Sequence, residues 1–525
     1  MIIFFSQRLL FVFAASIVAY NSLAQQNSLQ ANEKVIIFSA VKGTVSKPIS
    51  IPYYSKKGEK INVLIAGEKS GYFNLVTPAP KQVPAGKRVS LILEFAPAND
   101  FIGSSKAKLQ IMNSAGKLLR ETELRGLSLK GLEGENEPAL KTVLDVLGYQ
   151  INNGWSSLAN NTKPEPQGEE IATTSFRKAG KGKVEIIPVA RFSPDFKLPF
   201  GYYINSSSGP VLHEVGVLSK TKNKPEHQVL FPSVSSGSTS FDPGENAFGI
   251  YSTGAGHSAY TLDDWNILLH PDHASHAVRT YPVKDEHGNL EKNTFLVCFE
   301  EAKNGDYNDY VFLVKNIKPV TSAEDYTNLF NGKNLDGWDI FLTGKSMNND
   351  SERNFVVQQD GSVYVKGKEL GYIRTKKGLT NYHFVVEFKW GEKKWPPREN
   401  AKRDAGICYN IPDNEPDSIW PKSIECQIQE GDTGDFWLLG FSTITVNDST
   451  NKPANHTRMV KKADAEKPTG EWNIVEVISY NGKCIHIVNG VVVNAGEKAS
   501  VSKGRLLLQS EYSEVYYRNA RIKQL

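Results

Sequence analysis

Cysteine is scarce in this chain, with four among 525 residues and no C-x-x-C pair. So few thiols exclude the dense disulfide framework of a small secreted domain, and the missing close pairs exclude a zinc site built on cysteine pairs. Cys408 and Cys426 occupy apolar phases of two predicted strands. A bridge between neighbouring strands and a pair of buried free thiols both fit this pattern, and the sequence leaves the two alternatives open.

Blocks of positive charge are also missing. The chain has 61 Lys and Arg against 57 Asp and Glu, which gives a formal net charge of +4. Nucleic-acid-binding proteins gather basic residues into a patch or stripe. The composition therefore predicts no nucleic-acid partner.

After the N-terminus no apolar run approaches the ~20 residues that span a bilayer, so the sequence predicts no membrane span. At the N-terminus itself, Arg8 precedes the apolar run Leu9 to Tyr20, which has about 12 residues and is too short to span. Ser22 and Ala24 then supply small residues at the −3 and −1 positions of a cleavage site. We expect a signal peptide at residues 1–24, with an uncleaved anchor helix as the alternative, and hence an exported protein.

The length predicts roughly three domains, because a single core does not grow to this size. Residues 25–131 contain about seven short alternating strands between turn residues, a pattern typical of an immunoglobulin-like sandwich. Residues 132–319 are mostly strands and loops, with one helical period at residues 139–153. Residues 324–525 contain about eleven short strands, which favours a two-sheet jelly roll. The predicted fold class is all-β throughout.

The middle domain ends in FEEAKNGDYNDYVFLVKNI, which resembles the terminal hairpin of jelly-roll domains in secreted bacterial proteins. Glu300, Asp306, Asn308 and Asp309 bring hard oxygen ligands into one tight turn, which suits Ca²⁺. The alternative is a turn in which Asp and Asn bond local backbone without an ion. The first domain likewise resembles the immunoglobulin-like modules of exported bacterial proteins, so we expect a bacterial periplasmic, surface or secreted location.

Polar side chains alternate along the strand Ile424–Gln429 of the last domain. Glu425, Gln427 and Gln429 share one face, opposite three apolar residues. Carboxylates and amides bond sugar hydroxyls in pairs, so this face is a candidate carbohydrate groove. A solvent-facing outer sheet is the alternative.

Five motifs of the last domain, in order, carry a family resemblance. They are LFNGKNLDGW, FKWGEKKWPPRENAKRDAGICYN, IECQIQEGDTGDFWLLG, GEWNIVEVISYNGKCIHIVNGVVVN and LLLQSEYSEVYYRNARI. The domain resembles the 3-keto-disaccharide hydrolase family, which is similar in fold to concanavalin A-like lectins and glucanases. One departure is present, since family members commonly read D-S-G followed by an aromatic-His pair, where this chain has Ala405 and Asn410.

The resemblance implies cleavage of 3-keto glycosides, in which the ketone acidifies the C2 proton and the C1 aglycone leaves by elimination before water adds. Such a site needs a base, an acid and an electrophile near the ketone oxygen. Glu425 is the candidate acid or base, and Lys389, Arg398 or a divalent metal could polarise the ketone. His456 is a further catalytic candidate. A conventional glycosidase pair of Glu425 with Glu430 or Asp432 stays open.

Further residues are expected around the sugar. Trp390 and Trp395 offer indole faces on which a pyranose packs. Asp432 and Asp435 form either a rim loop or a cation site. The expected sugar-binding set is completed by polar side chains of neighbouring strands and loops, namely Gln427, Gln429, Glu387, Arg398, Asp404, Gln509, Glu511 and Arg518.

Two other functions fit the same sequence. A lectin-like module would share the fold and the tryptophans without catalysis. A surface scaffold would use its β-domains to bind protein partners. Carbohydrate is the expected ligand of the first two hypotheses.

Overall fold

The computed structural model of the chain describes residues 29–130, 137–158, 162, 164–206, 208–219, 226–254, 256–300, 302–321 and 325–525. The predicted signal peptide lies outside this range. Among the described helices, none is both long enough and apolar enough to cross a membrane. The described chain divides into two compact units. The first takes the described residues up to Ile204 and those of Pro210–Val320, and the second takes those of Asn205–Gly209 and Thr321–Leu525.

From Val35 to Leu129, the N-terminal domain contains eight strands and a short 3₁₀ turn, Ser70–Tyr72. The strands are β1 Val35–Val41, β2 Ile49–Ser55, β3 Glu59–Ala66, β4 Phe73–Leu75, β5 Gln82–Val83, β6 Lys87–Phe95, β7 Gly103–Asn113 and β8 Leu118–Leu129. They form the sheets β1-β8-β7-β3-β5 and β2-β6-β4, and β1 pairs with β8 in parallel. Alternate residues of both sheets, such as Phe38, Leu93 and Leu109, form one core between them.

Among its described residues, the middle domain contains two helices and thirteen strands. The helices are α1 Leu140–Leu147 and α2 Asp263–Leu269. The strands are β9 Phe176–Lys178, β10 Val184–Pro194, β11 Leu198–Ser206, β12 Gly209–Leu218, β13 Glu226–Leu230, β14 Val234–Gly237, β15 Ser240–Phe241, β16 Gly249–Gly254, β17 His257–Tyr260, β18 Val278–Lys284, β19 Leu290–Phe299, β20 Tyr310–Lys315 and β21 Ile317–Pro319. The sequence predicted only one helix in this domain, at residues 139–153, and α2 was not predicted.

Two antiparallel sheets, β13-β10-β20-β19-β18 and β14-β12-β11-β16-β17, dominate the middle domain. One core contains residues of both sheets, among them Phe200 and Phe312. The other face of the first sheet packs against α1 and against Leu127 and Leu129 of β8. Because this second core takes residues from both domains, the N-terminal and middle domains form one compact unit.

Strands dominate the described residues of the C-terminal domain. They are β22 Thr327–Asn328, β23 Trp338–Leu342, β24 Phe355–Val357, β25 Val363–Val365, β26 Gly371–Thr375, β27 Leu379–Thr380, β28 Tyr382–Lys394, β29 Asp404–Ile411, β30 Ser423–Gln429, β31 Phe436–Leu439, β32 Thr445–Val446, β33 Ser449–Thr450, β34 His456–Met459, β35 Asn473–Tyr480, β36 Lys483–Val488, β37 Val491–Gly496, β38 Lys503–Ser510 and β39 Ser513–Gln524. The predicted all-β class is confirmed.

Most of these strands form two sheets. The front sheet has the order β23-β26-β38-β29-β30-β31-β34, and the back sheet has the order β24-β25-β39-β28-β35-β36-β37. One apolar core takes inward residues from both, for example Ile407 and Ile424 from the front sheet and Phe384 and Val477 from the back sheet. Each sheet therefore has one face on the core and one outer face on which function can be placed.

Candidate active site

The outer face of the front sheet carries the polar row of β30. Ile424, Cys426 and Ile428 lie in the core, and the intervening side chains point to the outer face as predicted. Glu425 and Gln427 are nevertheless only 5% exposed. Since a solvent-facing row would be largely exposed, the alternative of a plain outer sheet is wrong.

The absence of a side chain at Gly406 lets two polar groups meet over β29. A Cβ at Gly406 would lie 2.0 Å from Glu425 Oε1 and 2.3 Å from Gln509 Oε1. Such contacts are far inside van der Waals distance, so only glycine fits between the two side chains. Strand β29 thereby holds the Glu425 carboxyl and the Gln509 amide side by side on the outer face.

Three carboxyl groups of unequal acidity lie around this point. Burial raises the pKa of Glu425 well above its usual value, and the charges of Glu511 and Asp404 raise it further. Burial and the Asp404 charge likewise raise the pKa of Glu511, against the opposing effect of Arg398. Burial raises the pKa of Asp404 to about 6, although the Arg398 cation opposes it. At neutral pH the group therefore retains protons beside one ionised carboxylate, as acid–base chemistry requires.

Asp404 is held by amides and a cation. Gln427 Nε2 donates to Asp404 Oδ1 at 2.9 Å and Gln429 Nε2 donates to Oδ2 at 2.7 Å. Arg398 forms an ion pair with Oδ2 at 2.5 Å. Glu511 lies beside it, since it forms a β-bridge with Asp404. These contacts fix the direction of the Asp404 carboxylate.

Polar atoms on this face also lack partners. Gln427 Oε1, Gln509 Oε1 and Tyr372 Oη are buried and form no hydrogen bond within the described structure. Each unsatisfied buried group costs about 1–3 kcal/mol. A ligand rich in hydroxyl groups would satisfy them.

Residues 325–523 match the family profile of the 3-keto-alpha-glucoside-1,2-lyase-like domain. The predicted resemblance of the last domain is therefore confirmed. No curated protein sequence matches the chain.

Solved structures match a part of the chain with low identity. A provisionally assigned glycosyl hydrolase from Parabacteroides distasonis is 22% identical, with a TM-score of 0.28, over 39% of this chain and 98% of its own. The carbohydrate-binding module CBM66 from Bacillus subtilis is 8% identical, with a TM-score of 0.25, over 36% and 96%. A β-glucanase from Bacillus licheniformis is 11% identical, with a TM-score of 0.26, over 38% and 97%.

Aromatic and cationic side chains missed by the sequence analysis share the outer face of the front sheet. Tyr372 is in register with Gln509 and stacks on Phe341, with ring centroids 4.9 Å apart. Trp437 is in register with Glu425 and half-buried. Arg374 reaches Asp417 at 2.6 Å. Phe436 and Leu438 of β31 lie in the core, so Trp437 between them must point to the outer face. This alternation is visible in the sequence and could have identified Trp437.

Three predicted site residues of the lyase-like domain lie elsewhere. Glu387 and Lys389 are on β28 and Arg518 is on β39, both strands of the back sheet. Arg518 donates to Glu387 at 2.8 Å and lies over the Trp472 ring at 3.9 Å. Lys389 lies over the same ring at 5.1 Å. The prediction that they line one groove with Glu425 is wrong, because the two sheets have separate outer faces.

The two predicted stacking tryptophans also differ in placement. Trp390 is 3% exposed within the core between the sheets, so it offers no face to a sugar and this prediction is wrong. Trp395 is half-buried and donates from Nε1 to the Lys366 carbonyl at 2.9 Å. It lies on the segment that carries Arg398 to Asp404.

The predicted cation site at Asp432 and Asp435 is occupied by side-chain cations. Arg458 reaches Asp435 at 2.5 Å and Asp432 at 3.0 Å, and Lys402 reaches Asp432 at 2.7 Å. These pairs neutralise both carboxylates, so a metal would have to displace them. Glu430 is similarly paired with Arg403 at 2.6 Å.

His456 lies at the edge of the front sheet. It is exposed on β34, in register with Leu439 of β31, and its ring lies 6.4 Å from that of Trp420. Strand β31 separates β34 from β30. His456 therefore belongs to the rim of this face and does not contact the carboxyl group cluster.

The family departures leave the outer face unchanged. Ala405 is fully buried in the core, so a serine hydroxyl there would point between the sheets. Asn410 donates from Nδ2 to Ser479 Oγ of the back sheet at 2.9 Å. Neither position contributes to the surface that holds Glu425.

Proposed function

We propose that the lyase-like domain cleaves the glycosidic bond of 3-keto glycosides. The observation that carries the proposal is the set of three buried carboxyl groups, Asp404, Glu425 and Glu511, with raised proton affinities beside unpartnered amide oxygens. Acid–base catalysis of elimination needs one carboxylate and one carboxylic acid at neutral pH. The hydroxyl groups of a sugar would donate the hydrogen bonds that these amide oxygens do not receive from the protein.

The reaction balances without an added oxidant or reductant. The C3 ketone acidifies the C2 proton, which a base removes. The electron pair of that C–H bond forms the C1=C2 double bond as the C1–oxygen bond breaks, and an acid protonates the departing oxygen. Addition of water across the double bond then gives the free 3-keto sugar, so that the net result is hydrolysis.

We assign the base to Asp404 and the acid to Glu425. Asp404, with its pKa raised to about 6, is ionised at neutral pH and yet basic enough to take a proton. Glu425 retains its proton for the leaving oxygen because burial raises its pKa.

Arg398 is our candidate for polarising the ketone. Its Nε is buried and has no hydrogen-bond partner among the described residues, while its Nη2 pairs with Asp404. A divalent metal is the alternative polarising group. Arg398 is favoured because its ion pair with Asp404 already brings a cation to this part of the outer face.

Aglycone release from matched 3-keto and unoxidised glycosides tests the proposal. We expect turnover of the 3-keto substrate alone and a transient enone. Glu425→Gln should lower kcat by about 10²–10⁴-fold, since a general acid contributes that much. Glu387→Gln, on the back sheet, is the matched control and should keep full activity. Equal activity of the Glu425→Gln variant would remove the assigned role.

Carbohydrate binding without turnover is the second candidate. The unpartnered Gln427 and Gln509 oxygens would serve binding as well as catalysis. Calorimetry with product analysis separates the two, because a lectin-like module releases heat and no aglycone. For either function we propose export as the setting, from the N-terminal sequence pattern.

A further inference from the structure

We propose that the middle domain binds one Ca²⁺ ion between Glu137 and the turn that contains Asp306 and Asp309. These three buried carboxylates each offer one oxygen, and the oxygens all lie within 4.8 Å of one another. Ca²⁺ binds oxygen ligands at about 2.3–2.6 Å, so two ligands on opposite sides of the ion are about 4.8 Å apart. The spacing therefore fits a single ion at the centre of the group.

Unsatisfied oxygens supply a second, independent observation. Asp306 and Asn308 are both fully buried, and their Oδ1 atoms accept no hydrogen bond from the described residues. The other end of each side chain is engaged, since Asn304 donates to Asp306 Oδ2 and Asn308 Nδ2 donates to the Pro138 carbonyl. Burying an acceptor without a partner is costly, and a cation would offset that cost.

The local charge favours a cation as well. The Glu300 carboxylate, which accepts the Asp306 backbone N–H, adds a second negative charge nearby. A hard divalent ion would stabilise the ionised form of a carboxylate in this position.

Glu300, which was predicted as a ligand, instead stabilises the turn by accepting hydrogen bonds from its backbone. Its carboxylate accepts the backbone N–H groups of Ala302 at 2.8 Å, Gly305 at 2.8 Å and Asp306 at 2.9 Å. These bonds use the oxygens that a metal would need, so the predicted ligand set is corrected. Tyr307 adopts φ 55°, which helps the chain to turn between Asp306 and Asn308.

Glu137 adds a ligand from a segment that is distant in sequence from the turn. It precedes α1 by three positions, and the adjacent Pro138 already bonds Asn308 across a separation of 170 positions. An ion held by Glu137 and Asp309 would join the start of α1 to the β19–β20 connection. Ca²⁺ should therefore stabilise the fold of this domain.

Thermal unfolding of the full chain in CaCl₂ and in EDTA tests the proposal. At a Ca²⁺ concentration ~100-fold above Kd, we expect a rise in Tm of about 5–10 °C. Glu137→Gln should abolish the rise. Asp285→Asn is the matched control, because Asp285 caps backbone amides in another turn of the same domain and should keep the Ca²⁺-dependent shift.

Calorimetric titration of the wild-type chain with CaCl₂ gives a readout that does not depend on any variant folding. One site per chain is expected, with weaker binding of Mg²⁺ because Mg²⁺ demands stricter geometry. No heat together with an unchanged Tm would overturn the proposal. A Ca²⁺-dependent shift that survives Glu137→Gln would also overturn it, since the ion would then lie elsewhere.

Discussion

Gly406 lies at the centre of the candidate active site because its missing side chain leaves room for two others. Glu425 and Gln509 come from the strands on either side of β29, and their polar ends meet above this glycine. No other residue gives that approach without moving one of the neighbouring side chains. The position therefore links a backbone requirement directly to the proposed chemistry.

Gly406→Ala should lower activity at least ~100-fold, because displacement of a catalytic group by about 1 Å has effects of that order. Overpacking should also destabilise the domain by about 1–3 kcal/mol. Steady-state kinetics and thermal unfolding of the same preparation measure the two effects. Gly71→Ala, where no atom lies within 4 Å of the added Cβ, is the control and should change neither. A fully active Gly406→Ala variant would contradict the assigned geometry.

The pKa of Asp404, raised to about 6, predicts a pH limb in catalysis. A base must be ionised, so kcat/KM should rise with pH through about 6. Because Arg398 lowers the Asp404 pKa, Arg398→Gln should move the limb upward by about one unit, apart from its effect on rate. Rate profiles between about pH 4 and 8 measure the limb. A limb that moved downward or stayed in place would assign it to another group.

The sequence predicted which residues of one strand share a face. It did not predict which of the two sheets each strand belongs to. The period of two placed Glu425, Gln427 and Gln429 on one face. The same period described Lys389 and Arg518 equally well, yet their strands belong to the back sheet, because strand order depends on long-range pairing that no local pattern encodes. Asp404 and Glu511 were identified as binding residues, while their raised pKa depends on burial.

At the scale of elements, strongly periodic segments were predictable. The predicted strand Ile424–Gln429 is observed as Ser423–Gln429, and the predicted helix at 139–153 is observed as Leu140–Leu147, ended by Gly148 at φ 89°. Helix α2 was missed because seven residues contain too few turns for a helical period. Its stability comes from tertiary contacts, among them the contact of Asp263 with His276.

His276 connects α2 to a distant loop. Its ring nitrogens contact Asp263 at 2.8 Å and Glu170 at 2.9 Å. Burial lowers the pKa of this histidine, but the two carboxylates outweigh burial and raise it to about 9. The folded chain therefore keeps a proton that the unfolded chain loses near pH 6.5.

The stabilisation from His276 should be complete below about pH 6.5 and lost as pH rises through about 9. Between pH 7 and 10 this amounts to about 3 kcal/mol. Urea unfolding at both pH values should show a steeper loss for the wild type than for His276→Asn. Equal losses would mean that the histidine is neutral in the folded state.

Across the whole molecule, all four cysteines are buried and free. Strands β29 and β30 are neighbours, but Cys426 points into the core and Cys408 to the outer face. The bridge alternative is therefore wrong, and the alternative of buried thiols is confirmed. Burial raises the pKa of Cys408 and Cys426, which suppresses the reactive thiolate.

A thiol reagent such as Ellman's reagent should leave the native chain unlabelled and modify all four cysteines in urea. Reducing agent should leave Tm unchanged, because no disulfide contributes to stability. Rapid labelling of the native chain, or a lower Tm after reduction, would contradict the burial and the free state of these residues.

The parallel pairing of β1 with β8 has a mechanical consequence for the N-terminal domain. Val35 aligns with Glu123 and Val41 with Leu129, so the chain enters β1 at one end of the pair and leaves β8 at the other. Tension applied to these two ends would load the hydrogen bonds between β1 and β8 in shear. The bonds would then have to break together, because they share the load. The two strands would therefore resist a pull applied between the start of β1 and the end of β8.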